Sequence, residues 1–307
     1  MRTPWYKFSE VTVAHQGWEL WLMRAIFSWL LWRLLPVDIP YVHQPVPNGL
    51  GLLFNLTFLA DGGLYAVLRM IFGLALLLFT AGLVPSLSLG YTALLLTMVG
   101  ALENSQGAIG HHLQLACLVA LTQWCVYCTG WQGGVKALLR PALDRHLLAT
   151  HWAKLVIVAS YVTSACVKLI ASEGRWIGQL PDISLQLIKT HANVYYDTLW
   201  PQTGWMATEL PQFIANHPHL TRIFFTPGLL LELFAFIALT GRRAGMIWGA
   251  GLLAMHLLVR WVMNLSFSSH EWLLTIYLIN VPFLCWWGYT WLRQRMLASP
   301  VAVPTDK

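Results

Sequence analysis

Runs of about twenty apolar residues recur along this chain, and a bilayer is the solvent that asks for that length repeatedly. They fall at approximately 17–36, 64–84, 86–102, 111–131, 152–172, 222–241, 244–263 and 269–291. The pattern predicts an all-α, polytopic integral membrane helix bundle of about eight spans. Charge supports it: only 10% of residues are Asp, Glu, Lys or Arg, against about 25% in soluble globular domains. The 17 tryptophans suit a protein whose surface meets two lipid–water interfaces. The first run holds Glu19, Arg24 and Arg33 and fits an interfacial amphipathic helix as well as a span. Val84-Pro85-Ser86 predicts an antiparallel hairpin between the second and third runs.

Basic residues set orientation. Arg2 and Lys7, then Lys136, Arg140 and Arg145, then Arg242 and Arg243, then Arg293 and Arg295 share one side if both termini do. That side is expected to be cytoplasmic. The layout is then a cytoplasmic N-terminus at 1–16, a membrane domain at 17–291 and a cytoplasmic tail at 292–307, with no room in that tail for an extramembrane domain. The segment 173–221 is too long for a plain connector. It contains Trp176, Trp200 and Trp205, a helical pattern at 182–191 and several prolines. Short interfacial helices forming a lid on the outer face are expected there. No signal peptide, repeat or low-complexity tract is evident, and the localisation expected is a cell membrane, the inner one in a bacterium.

The run at 152–172 is polar along one side. Lys154, Tyr161, Ser164, Lys168 and Ser172 fall within an arc of roughly 80° on a helix. An ionisable group at membrane depth costs about 2.5–3.5 kcal/mol and normally faces a bundle interior or a wet cavity. Lys168 also lies near enough to the end of the run for its amine to snorkel to the headgroups.

Other polar residues are placed at the outer half by the same topology. His111 and His112 begin the fourth run, and His112, sharing a face with Gln123, is the better inward candidate. Glu232 sits at the centre of the sixth run and His256 near the centre of the seventh. A carboxylate in hydrocarbon needs a partner or a proton, and His256 and Arg260 are the candidates by depth. Cys125 and Cys128 form a CxxC, but at the inner end of the fourth run and away from the other polar groups. Cys117, Cys166 and Cys285 read as buried small apolar residues. His43 and His217–His219 lack ligand spacing, so no metal is expected. No Walker, Rossmann or serine-nucleophile motif is present, and no nucleic-acid partner is expected.

These residues carry a family resemblance over most of 17–291. MRAIFSWLL around Arg24, GHHLQLACLVAL at 110–121, CVKLIASEGRWIG at 166–178, PGLLLELFAF at 227–236 and MHLLVRWVMNLSFSSHEW at 255–272 resemble, in order, segments of the HTTM (horizontally transferred transmembrane) family. This is the membrane region of vitamin K-dependent gamma-carboxylase. The resemblance puts the family's proposed catalytic lysine on Lys168, its segment histidines on His112 and His256, and its acidic position on Glu232. It implies that a lysine deprotonates a hydroquinone, which reacts with oxygen to form a strong base. That base takes a proton from a glutamate side chain, to which carbon dioxide adds. The chain departs from the pattern at Val167, where the family has a lysine, and at Glu173 and Gly174, which lengthen the interval to Trp176. The family's large lumenal domain is also missing.

The expectation is therefore a hydroquinone-dependent, carboxylase-like membrane enzyme of lyase type. Lys168 and His112 are its catalytic candidates. Tyr161, Ser164, Trp176, Glu232 and His256 are the candidates for holding the cofactor, a vitamin K-like or other isoprenoid quinol. Expected partners are membrane lipids, the quinone and a separately encoded extramembrane protein. The rivals on the same scaffold are a non-enzymatic lipid- or quinone-binding protein or transporter, and a membrane subunit of a complex.

Overall fold

The computed structural model describes residues 15–107, 109–200 and 204–298. The described chain is all-helical, with 78% of residues in helix and no strand. Helix α1 spans Gly17–Leu34. Asp61 caps α2, Gly62–Thr80, by accepting the Leu64 N–H at 2.9 Å. Helix α3, Pro85–Asn104, starts on a proline at its first position, where the missing N–H would have had no acceptor. Next come α4, Gln114–Cys128, the short α5, Gly134–Leu139, and α6, Leu143–Ala171. At 29 residues, α6 is about 44 Å long, and it begins nine residues before the apolar run that marks it in the sequence.

Within 173–221 the chain folds as α7, Ile183–Thr198, and α8, Glu209–Asn216. Leu187, Leu210 and Ile214 of this pair bury against Val262 in a small core of their own. Helix α9, Pro218–Leu233, gives way to a 3-10 turn at Ala235–Leu239, so the sixth apolar run is not one regular helix. Helix α10 is Arg242–Met263. The last run is also interrupted. Helix α11, Ser268–Leu273, continues as a π-helical stretch to Ile279. The chain then bends by 46° at Asn280 before α12, Val281–Ala298.

Among the described residues, four helices (α2, α3, α6 and α10) are long and apolar enough to cross a membrane, or five if the bent pair counts as one span. Helix α4 is apolar but has only 15 residues. The main core lies where α1, α2, α4 and the π-helical stretch meet. Phe27 packs edge-on against Tyr277 at 5.6 Å and Phe79 against Tyr127 at 6.4 Å. Close packing of α10 on the π-helical stretch depends on Gly249, where a Cβ would lie 2.8 Å from that of Leu278.

Candidate functional site

Helix α6 carries Tyr161, Ser164 and Lys168 at intervals of three and four residues, which stack on one helix face. All three line a cavity of about 440 Å³ between α6, α9, α10 and the start of α7. Its walls are largely apolar, with Phe225 and Leu229 from α9 and Val259 and Met263 from α10. Into this lining project two polar pairs.

The Lys168 ammonium donates to Glu232 Oε2 at 2.5 Å. The Glu232 side chain is 9% exposed and that of Lys168 34%, so the amine is the partner that faces the open cavity. The ring of Trp176 closes over the ammonium, with its centroid 5.7 Å from Nζ. Backbone geometry brings Trp176 back to Lys168. Glu173 and Gly174 both take left-handed conformations, φ 53° and 78°, and the Gly174 N–H closes on the Leu169 carbonyl at 2.8 Å. That is a helix-terminating turn. The two residues that lengthen the Lys-to-Trp interval thus reverse the chain.

The second pair is Tyr161 and His256, with Oη and Nε2 2.7 Å apart and both residues buried. Phe267 and His270 pack around the imidazole at 5.1 and 5.8 Å between centroids. His256 Nδ1 is buried with no hydrogen-bond partner.

Six of the sequence candidates (Lys168, Tyr161, Ser164, Trp176, Glu232 and His256) line this one cavity. His112 does not. Helix α4 begins only at Gln114, so His112 precedes it and the helical face it was to share with Gln123 does not extend that far. Its side chain is 53% exposed and lies 3.4 Å from Glu103, whereas Gln123 is buried and donates to Tyr277 at 2.9 Å. The pairing inferred from depth is also corrected. Glu232 is bonded to Lys168 rather than His256 or Arg260, and Arg260 pairs with Glu271. Depth along a span fixes one coordinate; rotation about the helix axis decides which neighbour is met. Cys285 is exposed and Cys166 half-buried, so of the three cysteines read as core only Cys117 is buried. Cys125 and Cys128 are free thiols, the first exposed. Among the described residues no three His, Cys, Asp or Glu side chains gather where a metal could be held.

Two polar groups escaped the sequence reading. Arg24 and Tyr127 converge on His146 Nδ1 at 3.0 and 2.8 Å. Lys154, placed by periodicity on the same stripe as Lys168, belongs to a separate cluster with His15, Glu19, Arg242 and Asn280. Buried Ile157 and Val158 interrupt the stripe between Lys154 and Tyr161. Helical spacing indicated that these residues share a face, but not that the face meets two different neighbourhoods.

The arrangement defines a class: an all-helical chain with helices of membrane-crossing length and a roomy amphipathic cavity built around a lysine–carboxylate pair. No protein family, curated protein or solved structure matches the chain. The likeness to the HTTM family rests on the five sequence segments named above.

Proposed function

We propose that the chain is a multi-pass membrane protein of about eight spans with cytoplasmic termini, whose cavity binds a hydroquinone and deprotonates it. The observation that carries this reading is the Lys168–Glu232 pair at the wall of an apolar cavity of about 440 Å³. An isoprenoid quinol has an apolar tail and a ring with two weakly acidic hydroxyls, which suits such a lining.

Lysine acts as a base only from its neutral form. Glu232 Oε2 accepts a proton from Lys168 Nζ, and the free amine then takes the proton of a ring hydroxyl, leaving a hydroquinolate beside the re-formed ammonium. The net transfer is one proton from quinol to Glu232, with charge conserved. Trp176 and the apolar walls keep water from the anion. Carboxylase-like chemistry beyond this step, with oxygen and carbon dioxide as co-reactants, rests on the family resemblance.

The test is hydroquinone consumption under oxygen by the full chain in nanodiscs. Lys168→Arg keeps a cation but cannot release a proton near neutral pH, since its pKa exceeds about 12. It is expected to insert and fold but to lose at least about 100-fold in rate, the usual scale of a general base. Wild-type turnover in Lys168→Arg sinks the base assignment. A wild type that retains a co-purified amphiphile but consumes no quinol favours the lipid-binding reading.

A further inference from the structure

Tyr161, Ser164 and Lys168 follow one another along the cavity face of α6, and the proton transfer uses only the last. The two hydroxyls have bonding capacity that the protein leaves unused. Tyr161 Oη lies 2.7 Å from His256 Nε2, its one hydrogen bond among the described residues. Either atom can donate, so the direction depends on which imidazole nitrogen carries the proton. His256 is 6% exposed and its Nδ1 is buried with no partner. A proton on Nδ1 would be a buried donor without an acceptor, an arrangement folded proteins avoid. A proton on Nε2 is taken up by Tyr161 Oη. His256 therefore donates to Tyr161, and an acceptor for the phenolic O–H has to come from the cavity that Tyr161 lines.

Ser164 points the same way. Helical serines and threonines commonly bond a carbonyl about one turn back, as Ser160 does to Ile157 at 2.7 Å and Ser172 to Leu169 at 3.3 Å. Ser164 makes no hydrogen bond to any described residue. Three residues after Tyr161 and four before Lys168, it shares their face. One cavity wall thus presents two uncommitted hydroxyls beside the lysine.

We propose that Tyr161 and Ser164 form a donor pair for a second ligand oxygen, so that the cavity selects rings carrying two oxygens in para relation. The ligand's identity rests on the quinol reading: Lys168 serves the nearer hydroxyl, and the pair donates to the oxygen across the ring. The backbone positions of Tyr161 and Lys168 are two turns apart, about 10.5 Å along the axis, a spacing suited to a ligand with an oxygen at each end. Tyr161 and Ser164 are then specificity-determining, since a ring without the second oxygen leaves both hydroxyls unpaired in a largely apolar lining. His256 is a positioning residue that holds the phenol by donating to it.

The test is calorimetric binding of 1,4-naphthalenediol and of 1-naphthol, which lacks the second oxygen. Both are titrated under argon into the full chain in nanodiscs, with empty nanodiscs as the blank. The wild type is expected to bind the diol about 10-fold more tightly than the naphthol. Tyr161→Phe should bring that ratio to about 1–2 with the naphthol affinity kept. Ser164→Ala should lower it about 3-fold at an unchanged unfolding midpoint, because its hydroxyl holds nothing in the protein. His256→Gln, which keeps an N–H donor, should retain more of the ratio than His256→Leu. A ratio near one in the wild type overturns the proposal, as does a ratio that neither hydroxyl variant lowers. If Tyr161→Phe does not fold, Ser164→Ala decides. Should the wild type bind neither probe, the donor pair is refuted; the quinol reading falls with it only if quinol consumption under oxygen is absent too.

Discussion

Removing either member of the Lys168–Glu232 pair should destabilise the protein unequally, and the inequality follows from exposure. At 2.5 Å between Nζ and Oε2, the attraction is roughly 7 kcal/mol for an effective dielectric of about 20 and roughly 2 kcal/mol in water. Desolvation of the two ions offsets much of it. Breaking a fully buried pair costs about 3–5 kcal/mol, because the remaining charge has no partner. Lys168→Met strands Glu232, whose side chain is only 9% exposed. Lys168 itself is 34% exposed, so solvent screening lowers the expected loss to about 2–3 kcal/mol. Glu232→Gln leaves an ammonium that reaches the open cavity, and should cost about 1 kcal/mol. The double variant Lys168→Met/Glu232→Leu removes both ions and should recover to within about 1 kcal/mol of wild type. Thermal unfolding of the four proteins in nanodiscs measures this, at about 2–4 °C per kcal/mol. A Glu232→Gln loss equal to or larger than that of Lys168→Met refutes the argument. So does a double variant whose loss is the sum of the singles, because uncoupled groups add.

Three further outcomes are expected. Gly249→Val should cost about 1–3 kcal/mol by overpacking, since even a Cβ there meets Leu278 at 2.8 Å and the Ile279 backbone nitrogen at 3.3 Å; Gly288→Ala, with open space around the site, should be neutral or mildly stabilising in the same melts. Burial, and then the charge of Lys154, hold the His15 imidazolium pKa down from 6.5 to about 3. The unfolded chain therefore binds the proton first, and stability is lost as pH falls through 6.5 towards 3, by about 1–2 kcal/mol between pH 6.5 and 5. His15→Gln should flatten that slope in pH-dependent melts; an unchanged slope counts against a buried neutral imidazole. Lys189→Cys, exposed on α7, should react in a cysteine-free background with an impermeant thiol reagent from the extracytoplasmic side, and labelling only from the cytoplasm would invert the proposed topology.

Helix content, the hairpin at Val84–Ser86 and the shared face of Tyr161, Ser164 and Lys168 were legible in the sequence, because each depends on residues close together in the chain. Apolar run length and a period of 3.6 are local properties. The polar stripe read on α6 is interrupted by buried Ile157 and Val158, so only Tyr161, Ser164 and Lys168 share one polar neighbourhood. What that face meets is not local. Lys154 and Lys168 lie on one helix, yet one meets His15 and the other Glu232, residues 139 positions before and 64 positions after their partners. Glu232 and His256 were matched by depth, but the rotation of α9 and α10 gave each a different partner on α6. His112 was read as helical because the apolar run includes it, whereas the chain enters α4 only at Gln114. The turn at Glu173–Gly174 looked like an insertion and became the device that sets Trp176 over the lysine. In each case the sequence alone determined which residues were polar, apolar and on one side. Tertiary packing decided which polar side faced which, because rotation about a helix axis is set by the neighbours a helix packs against and leaves no period in its own residues.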